Sequence, residues 1–267
     1  MSNPSRLVAL LSALVLGVNA LLVAAPANAV SVWGEDWQTN GDATVIDSSH
    51  IVLTPNAQDQ VGSAWVTTPL TVNDDSAFSV SFKFRISGSG VNGDGMAFVM
   101  HDGDTDALGG NGSDLGYNGI VGNLLAVEFD TFSFDDETPA PHVAIQPPGS
   151  VLGTHPLERF AAYTPLVDTD LFAWIDFDPV TKKLSVFLDD VNVKPPVPLL
   201  YYTLASGLET LIGPEIIFGF TAGTGIFDSR HEVLDFSITT VPLPAAAWLL
   251  LSGLAGLGFV GRRRTMA

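Results

Sequence analysis

The stretch Phe78-Ser79-Val80-Ser81-Phe82-Lys83-Phe84-Arg85-Ile86 decides the fold class of this chain. Its apolar residues alternate with small or charged ones, and a period of two is typical of a β-strand with one buried face. Similar short runs recur along the sequence, at 96–100, 124–129, 172–177, 184–188, 216–220 and 233–238. Clusters of Gly, Pro, Asn and Asp separate them, as in the turn expected at 178–183. Many short strands without strand–helix alternation predict an all-β antiparallel β-sandwich.

The N-terminal segment predicts export. Arg6 precedes an apolar stretch at 7–25, and Ala27-Asn28-Ala29 then forms a small-x-small cleavage site. We therefore expect a signal peptide at 1–29 and a mature chain that begins at Val30. A permanent N-terminal membrane anchor is the alternative.

The C-terminal segment, 241–267, has the order of a sorting signal. Val241-Pro242-Leu243-Pro244 precedes an uncharged run at 245–261 and then Arg262-Arg263-Arg264. A transmembrane helix needs about 17–25 residues, and basic residues hold their end in the cytoplasm. The segment resembles the VPLPA variant of the PEP-CTERM signal, which implies an exosortase-type processing enzyme in a Gram-negative bacterium. A permanent tail anchor is the alternative. Either would place the protein in the cell envelope, on the outer surface or in the extracellular matrix, with membrane contact only through the tail.

The composition of the segment between these ends, 30–240, excludes several classes of function. All 29 acidic residues lie in it, and the formal net charge of the chain is −18. Such a charge repels phosphate backbones, so nucleic acid is excluded as a partner, whereas cations are favoured. The chain has no cysteine, which excludes thiol catalysis and disulfides. The segment has the length of one sandwich domain.

A group of acidic residues follows the run at 124–129. Glu128 and Asp130 are two residues apart, so on a strand both carboxylates point to one face and repel each other unless a cation lies between them. Oxygen ligands suit calcium, and an imidazole beside carboxylates suits a transition ion. The residues that can complete a coordination shell are Asp135, Asp136, Glu137 and His142. A solvated acidic loop with a structural histidine is the alternative.

Five motifs occur in the order found in the L-type (legume) lectin family. They are GDGMAF at 93–98, GGNGSDLGYNGI at 109–120, AVEFDTF at 126–132, HVAI at 142–145, and FGFTAGTG at 218–225 with HEVL at 231–234. The chain resembles this family from 37 to 238. The resemblance implies a concanavalin A-like jelly roll that binds sugars.

The resemblance also implies roles for individual residues at the sugar. Asp94, after a cis peptide bond at Gly93, would accept hydrogen bonds from two sugar hydroxyls. A backbone N–H in the loop 110–113, at Gly110, Gly112 or Ser113, would donate to the sugar. The ring of Phe132 would lie against the apolar face of the sugar, although a core position is equally open for it.

Two metal ions are implied by the same resemblance. A manganese-type ion would be held by Glu128, Asp130, Glu137 and His142. Calcium would be held by Asp130, the carbonyl of Phe132, Asp135 or Asp136, and Glu137.

This chain departs from the family pattern at two of these positions. Phe134 stands where the family has an Asn that serves both calcium and sugar, and Glu137 stands where it has Asp. Asp135 could replace the Asn if the loop shifts by one residue. A matrix or adhesion protein that has lost sugar binding is therefore an alternative.

A secreted or surface-displayed lectin, with glycans or exopolysaccharide as partners, is the function that these observations favour. A glycoside hydrolase of related fold would need a third acid four or five residues after Glu128, where this chain has Phe132 and Ser133. We therefore expect a binding protein and no enzyme. Self-association into a homo-oligomer stays open.

Overall fold

The computed structural model describes residues 28–30, 37–88, 90–132, 141–150 and 159–241, and these include sixteen strands, a short 3-10 turn at Gly112–Asp114 and one α-helical turn. The strands are β1 Asn28–Val30, β2 Trp37–Gly41, β3 Thr44–Asp47, β4 His50–Ala57, β5 Val61–Val66, β6 Leu70–Thr71, β7 Ala77–Ser87, β8 Gly95–His101, β9 Leu124–Asp130, β10 His142–Gln146, β11 Phe160–Ala162, β12 Asp170–Asp178, β13 Lys183–Asp189, β14 Leu200–Thr203, β15 Glu215–Gly223 and β16 Ser229–Val241. The helical turn α1 is Leu208–Leu211.

Two antiparallel sheets form the sandwich, which confirms the predicted fold class. The back sheet has the order β14-β13-β12-β7-β16-β4-β3, with β1 paired to β16. The front sheet has the order β11-β10-β9-β8-β15-β5-β2, with β6 paired to β15. Most neighbours in each sheet are distant in sequence, so the sandwich depends on long-range pairing.

Aromatic rings from both sheets fill the space between them. In β7 the burial alternates strictly from Ala77 to Ser87, as the sequence pattern predicts. Phe82 of β7 packs against Phe220 of β15, with ring centroids 4.8 Å apart, and against Phe129 of β9 at 5.8 Å. Burial of such rings supplies most of the favourable free energy of folding.

The ends of the sandwich lie close to the predicted domain bounds of 30 and 240. The strand β1 begins at Asn28, because Asn28 and Ala29 pair with Thr240 and Thr239 of β16, and β16 continues to Val241. The remainder of the predicted signal peptide and of the predicted C-terminal helix lies outside the described residues. No helix within the described ranges is long and apolar enough to cross a membrane.

Candidate functional site

Asp94 lies directly before β8, at the end of the front sheet, and its peptide bond with Gly93 is cis. Its backbone is held on both sides: its N–H donates to the Gly223 carbonyl at 3.0 Å, and its carbonyl accepts from the Thr131 N–H and hydroxyl, each at 2.9 Å. The side chain is only 7% exposed. These contacts fix the backbone from which the carboxylate projects before any ligand arrives.

Two glycines, which have no side chain, leave open space beside this carboxylate. A Cβ at Gly225 would lie 3.1 Å from Asp94 Oδ2, and a Cβ at Gly112 would lie 3.8 Å from it. Gly112 also has a positive φ of 59°, which side chains rarely adopt. The loops that carry these glycines meet through a hydrogen bond of 3.2 Å from Gly112 N–H to the Thr224 carbonyl.

The structure narrows which amides of the loop 110–113 can serve a ligand. The N–H groups of Gly110 and Gly112 donate within the protein, to the carbonyls of Asn118 and Thr224. The amides of Asn111 and Ser113 are therefore the better candidates for contact with a sugar. Ser113 lies in a short 3-10 turn at Gly112–Asp114 that ends with Leu115 in the left-handed conformation.

Phe132 lies near Asp94 and outside the main core, because the Thr131 that precedes it is bonded to Asp94. Its ring packs at 5.1 Å from that of Phe227, a residue of the β15–β16 loop that the sequence analysis did not single out. Phe227 also borders Gly93, since a Cβ there would meet its Cβ at 3.0 Å. Both rings are partly exposed. The partner Phe227 could be found only in three dimensions.

Glu128, Asp130 and His142 lie on one face of the front sheet, as the period of two predicted for the acids. Asp130 stands directly opposite His142, and Glu128 lies one alternation further along β9. All three are buried, and Phe129, on the other face, is in the core. The Phe132 N–H donates to Asp130 Oδ1 at 2.8 Å.

A buried polar network holds Glu128. The Tyr117 hydroxyl donates to Oε1 of Glu128, and Gln146 Nε2 donates to Oε2 at 3.3 Å. Arg159 in turn donates to Gln146 Oε1 at 3.2 Å and to Ser150 Oγ at 2.7 Å. Sequence reasoning missed these partners, although Gln146 follows His142 by four residues and therefore shares its face.

The donors on this face suit a divalent cation, because two buried carboxylates and an imidazole are hard-ion and transition-ion ligands. Among the described residues, no three Asp, Glu or His side chains converge closely enough to hold a metal alone. The predicted ligands Asp135, Asp136 and Glu137 lie at 133–140, outside the described residues. The described residues therefore place three of the predicted ligands on one buried face and form no metal site by themselves.

Comparison with known proteins assigns the family. The sequence model described as legume lectin domain matches residues 33–247. The chain belongs to the legume lectin family. This match covers the strands β2 to β16 and every motif on which the resemblance was based.

Solved structures of lectins share the fold of this lectin. A Bauhinia forficata lectin in complex with GalNAc has a TM-score of 0.65 at 20% identity, covering 81% of this chain and 100% of that one. The Ca²⁺/Man3GlcNAc-bound VIP36 exoplasmic/lumenal domain has a TM-score of 0.59 at 22% identity, covering 79% and 87%.

Curated relatives of this lectin include larger plant proteins. The L-type lectin-domain containing receptor kinase VIII.1 of Arabidopsis thaliana is 30% identical over 170 residues, which cover 59% of this chain and 22% of the kinase. The receptor kinase SIT2 of Oryza sativa subsp. japonica is 28% identical over 234 residues, 76% and 34% respectively. The lectin thus spans about a fifth to a third of these relatives' length, and the similarity extends over only that part of the kinases.

Proposed function

We propose that the protein is an exported lectin that binds glycans at Asp94. The observation that carries this proposal is the carboxylate of Asp94, which projects from a backbone held on both sides and lies beside Gly112 and Gly225. A fixed carboxylate accepts hydrogen bonds from two adjacent hydroxyls without an entropic cost of ordering. Phe132 and Phe227 offer an apolar surface next to it, which suits the C–H face of a pyranose.

A divalent ion is part of this proposal. Glu128, Asp130 and His142 would hold a manganese-type ion with Glu137, and Asp130 would share calcium with the Phe132 carbonyl, Glu137 and Asp135 or Asp136. When bound, the ions would neutralise the buried carboxylates. The Phe132 N–H bond to Asp130 would link the metal side of the site to the sugar side.

The proposal extends to where the protein acts. The predicted signal peptide and VPLPA tail support export and processing by an exosortase-type enzyme, which would deliver the domain to the cell surface or to the matrix. Glycans or exopolysaccharide would be its partners there.

The test is Asp94→Ala in the full chain, with binding measured to beads that carry N-acetylgalactosamine or mannose, the sugars of the structural neighbours. Each hydrogen bond to a charged group contributes about 1.5–3 kcal/mol, so the loss of two weakens binding by more than about tenfold. Asp75→Ala is the matched control, because Asp75 is an exposed aspartate in the turn before β7. Wild-type binding by the Asp94→Ala chain would place the site elsewhere. A wild-type chain that binds no glycan would favour the matrix or adhesion alternative.

A further inference from the structure

The outer face of the back sheet carries an aromatic pair. Phe172 and Trp174 of β12 alternate with the core residues Leu171 and Ala173, so their rings point away from the core. The ring centroids are 6.3 Å apart and the planes differ by 25°. Both side chains are partly exposed. The two rings therefore form a nearly flat apolar surface on a face where polar residues are expected.

A depression of about 260 Å³ opens over these rings. A β-bulge lies at its edge, where the pairing of β16 with β7 shifts register between Leu234 and Ser237. Within the bulge Asp235 has a positive φ of 51° and is exposed. A bulge redirects a side chain, and here it brings the carboxylate of Asp235 to the edge of the depression.

Polar residues line the depression beside the two rings, together with the core residues Phe82 and Phe236. Its other lining residues include Ser81, Lys83 and Asn192. Ser81 lies directly opposite Trp174, and Lys83 lies directly opposite Phe172. The depression thus combines two apolar ring faces with hydroxyl, amide, ammonium and carboxylate groups, which can donate and accept hydrogen bonds.

The charges on this face disfavour contact with a second copy of the chain. Lys83 and Arg85 pair with Asp170 at 2.7 and 3.0 Å, and Lys194 pairs with Asp176. These side chains are 24–43% exposed. A two-fold contact would bury each pair twice, and the cores of protein interfaces are depleted of charge because desolvation is costly. A ligand rich in hydroxyls can instead satisfy charged groups while it stacks on the rings.

We infer that this depression, which we name the back-sheet platform (Ser81, Lys83, Phe172, Trp174, Asn192 and Asp235), is a second carbohydrate-binding surface that takes a polysaccharide chain. An open depression with two neighbouring rings suits consecutive pyranose units of a long chain better than one enclosed monosaccharide. The platform lies on the back sheet and Asp94 lies at the end of the front sheet, so the inference does not depend on the Asp94 site. With both sites active, one chain would bridge two glycans.

Affinity electrophoresis of the full chain in gels that contain galactomannan, xyloglucan or β-1,3-glucan tests the platform. The Asp94→Ala background removes the proposed front site, so any retardation that remains reports binding elsewhere. We expect at least one polysaccharide to retard this variant and the added Trp174→Ala change to weaken that binding by about tenfold. Tyr201→Ala is the matched control, because Tyr201 is an exposed aromatic of β14 that does not line the depression. Retardation should survive the Tyr201 change.

A second measurement separates loss of binding from loss of fold. The chain has five tryptophans. Of those in the described residues, Trp37 and Trp65 are buried and Trp174 is partly exposed. The bound polysaccharide should therefore reduce iodide quenching in the Asp94→Ala chain but not in Asp94→Ala with Trp174→Phe, and Trp33 and Trp248 are present in both chains. Failure of all three polysaccharides to retard the Asp94→Ala chain would overturn the inference. So would equal retardation with and without Trp174, or a Trp174→Ala change that alters only the oligomeric mass. Loss of monosaccharide binding in Asp94→Ala belongs to the front site and has no bearing on these outcomes.

Discussion

His231 shows how one buried residue makes the sandwich sensitive to pH. It lies in β16 between two register shifts, its side chain is fully buried, and its Nδ1 is 2.6 Å from Thr54 Oγ1. Burial lowers the pKa of His231 to about 3, because the charged imidazolium has lost its water. The histidine is therefore neutral in the folded protein at every pH at which the protein would be handled.

The free energy of unfolding should fall on acidification below about pH 6.5. The unfolded histidine binds a proton near that pH, whereas the folded one does not until about pH 3, so acid favours the unfolded state. Between pH 7 and pH 4.5 we expect His231 to account for a loss of about 2–3 kcal/mol. Urea unfolding of wild type and His231→Asn at both values measures it. His50→Asn is the control, since His50 is partly exposed beside Glu232. Equal pH dependence in wild type and His231→Asn would contradict the assignment.

At the scale of elements, the strand β9 has a core residue on one face and polar residues of the candidate site on the other. Phe129 packs on Phe82 and Phe84 in the core, whereas Glu128 and Asp130 face Tyr117 and His142 on the opposite side. The hydrogen bonds from Tyr117 and Gln146 orient the Glu128 carboxylate. Pairing with β10 then places His142 opposite Asp130. The separation of these two residues in the sequence does not by itself predict this pairing.

Removal of the proposed metal ion should destabilise the domain through these two strands. A ligand that binds only the folded state stabilises it by RT ln(1 + [L]/Kd), about 2.7 kcal/mol at a hundredfold excess over Kd. We expect a chelator to lower the melting temperature of wild type and to have little effect on Glu128→Gln, which keeps the size of the side chain without its charge. Elemental analysis checks that metal is bound at the start. An equal response of both proteins to the chelator would contradict a site at Glu128.

At the scale of the whole molecule, a legume lectin domain is flanked in the sequence by two apolar terminal segments. Val241 ends β16, so the VPLPA motif begins where the sandwich ends. From the sequence, we expect Pro242 and Pro244 to end the strand, because proline lacks an N–H donor for a strand ladder. An end to regular structure at this point is compatible with the proposed cleavage near the motif.

Mass spectrometry of the protein from its native host tests processing of the tail. We expect a C-terminal peptide that ends near Pro244 as the main species, since an exosortase-type enzyme would cut near the proline motif. Replacing Pro242 and Pro244 by Ala should retain the intact tail. Recovery of chains that extend through Arg264 as the main species would instead support a permanent anchor.

The sequence by itself determined the sandwich, its two faces and most of the residues proposed for the site. Because side chains of a strand alternate between the two faces of a sheet, the sequences at 78–86 and 128–130 show which side chains share a face. This can be predicted without knowing the neighbouring strand. The motif order from GDGMAF to HEVL was sufficient to indicate the legume lectin family. Local patterns were sufficient because they follow from backbone geometry.

Only the tertiary structure decided which distant residues meet. The ring of Phe227 packs against that of Phe132, Tyr117 and Gln146 donate to Glu128, and Asp235 of the bulge lines the back-sheet platform together with Trp174. Each of these contacts joins different strands or loops, and their register is fixed by the packing of both sheets together. The alternation of apolar and polar residues predicts which face of the sheet a side chain lies on. Its neighbour on the next strand depends on the strand register, which is determined by the packing of the whole core.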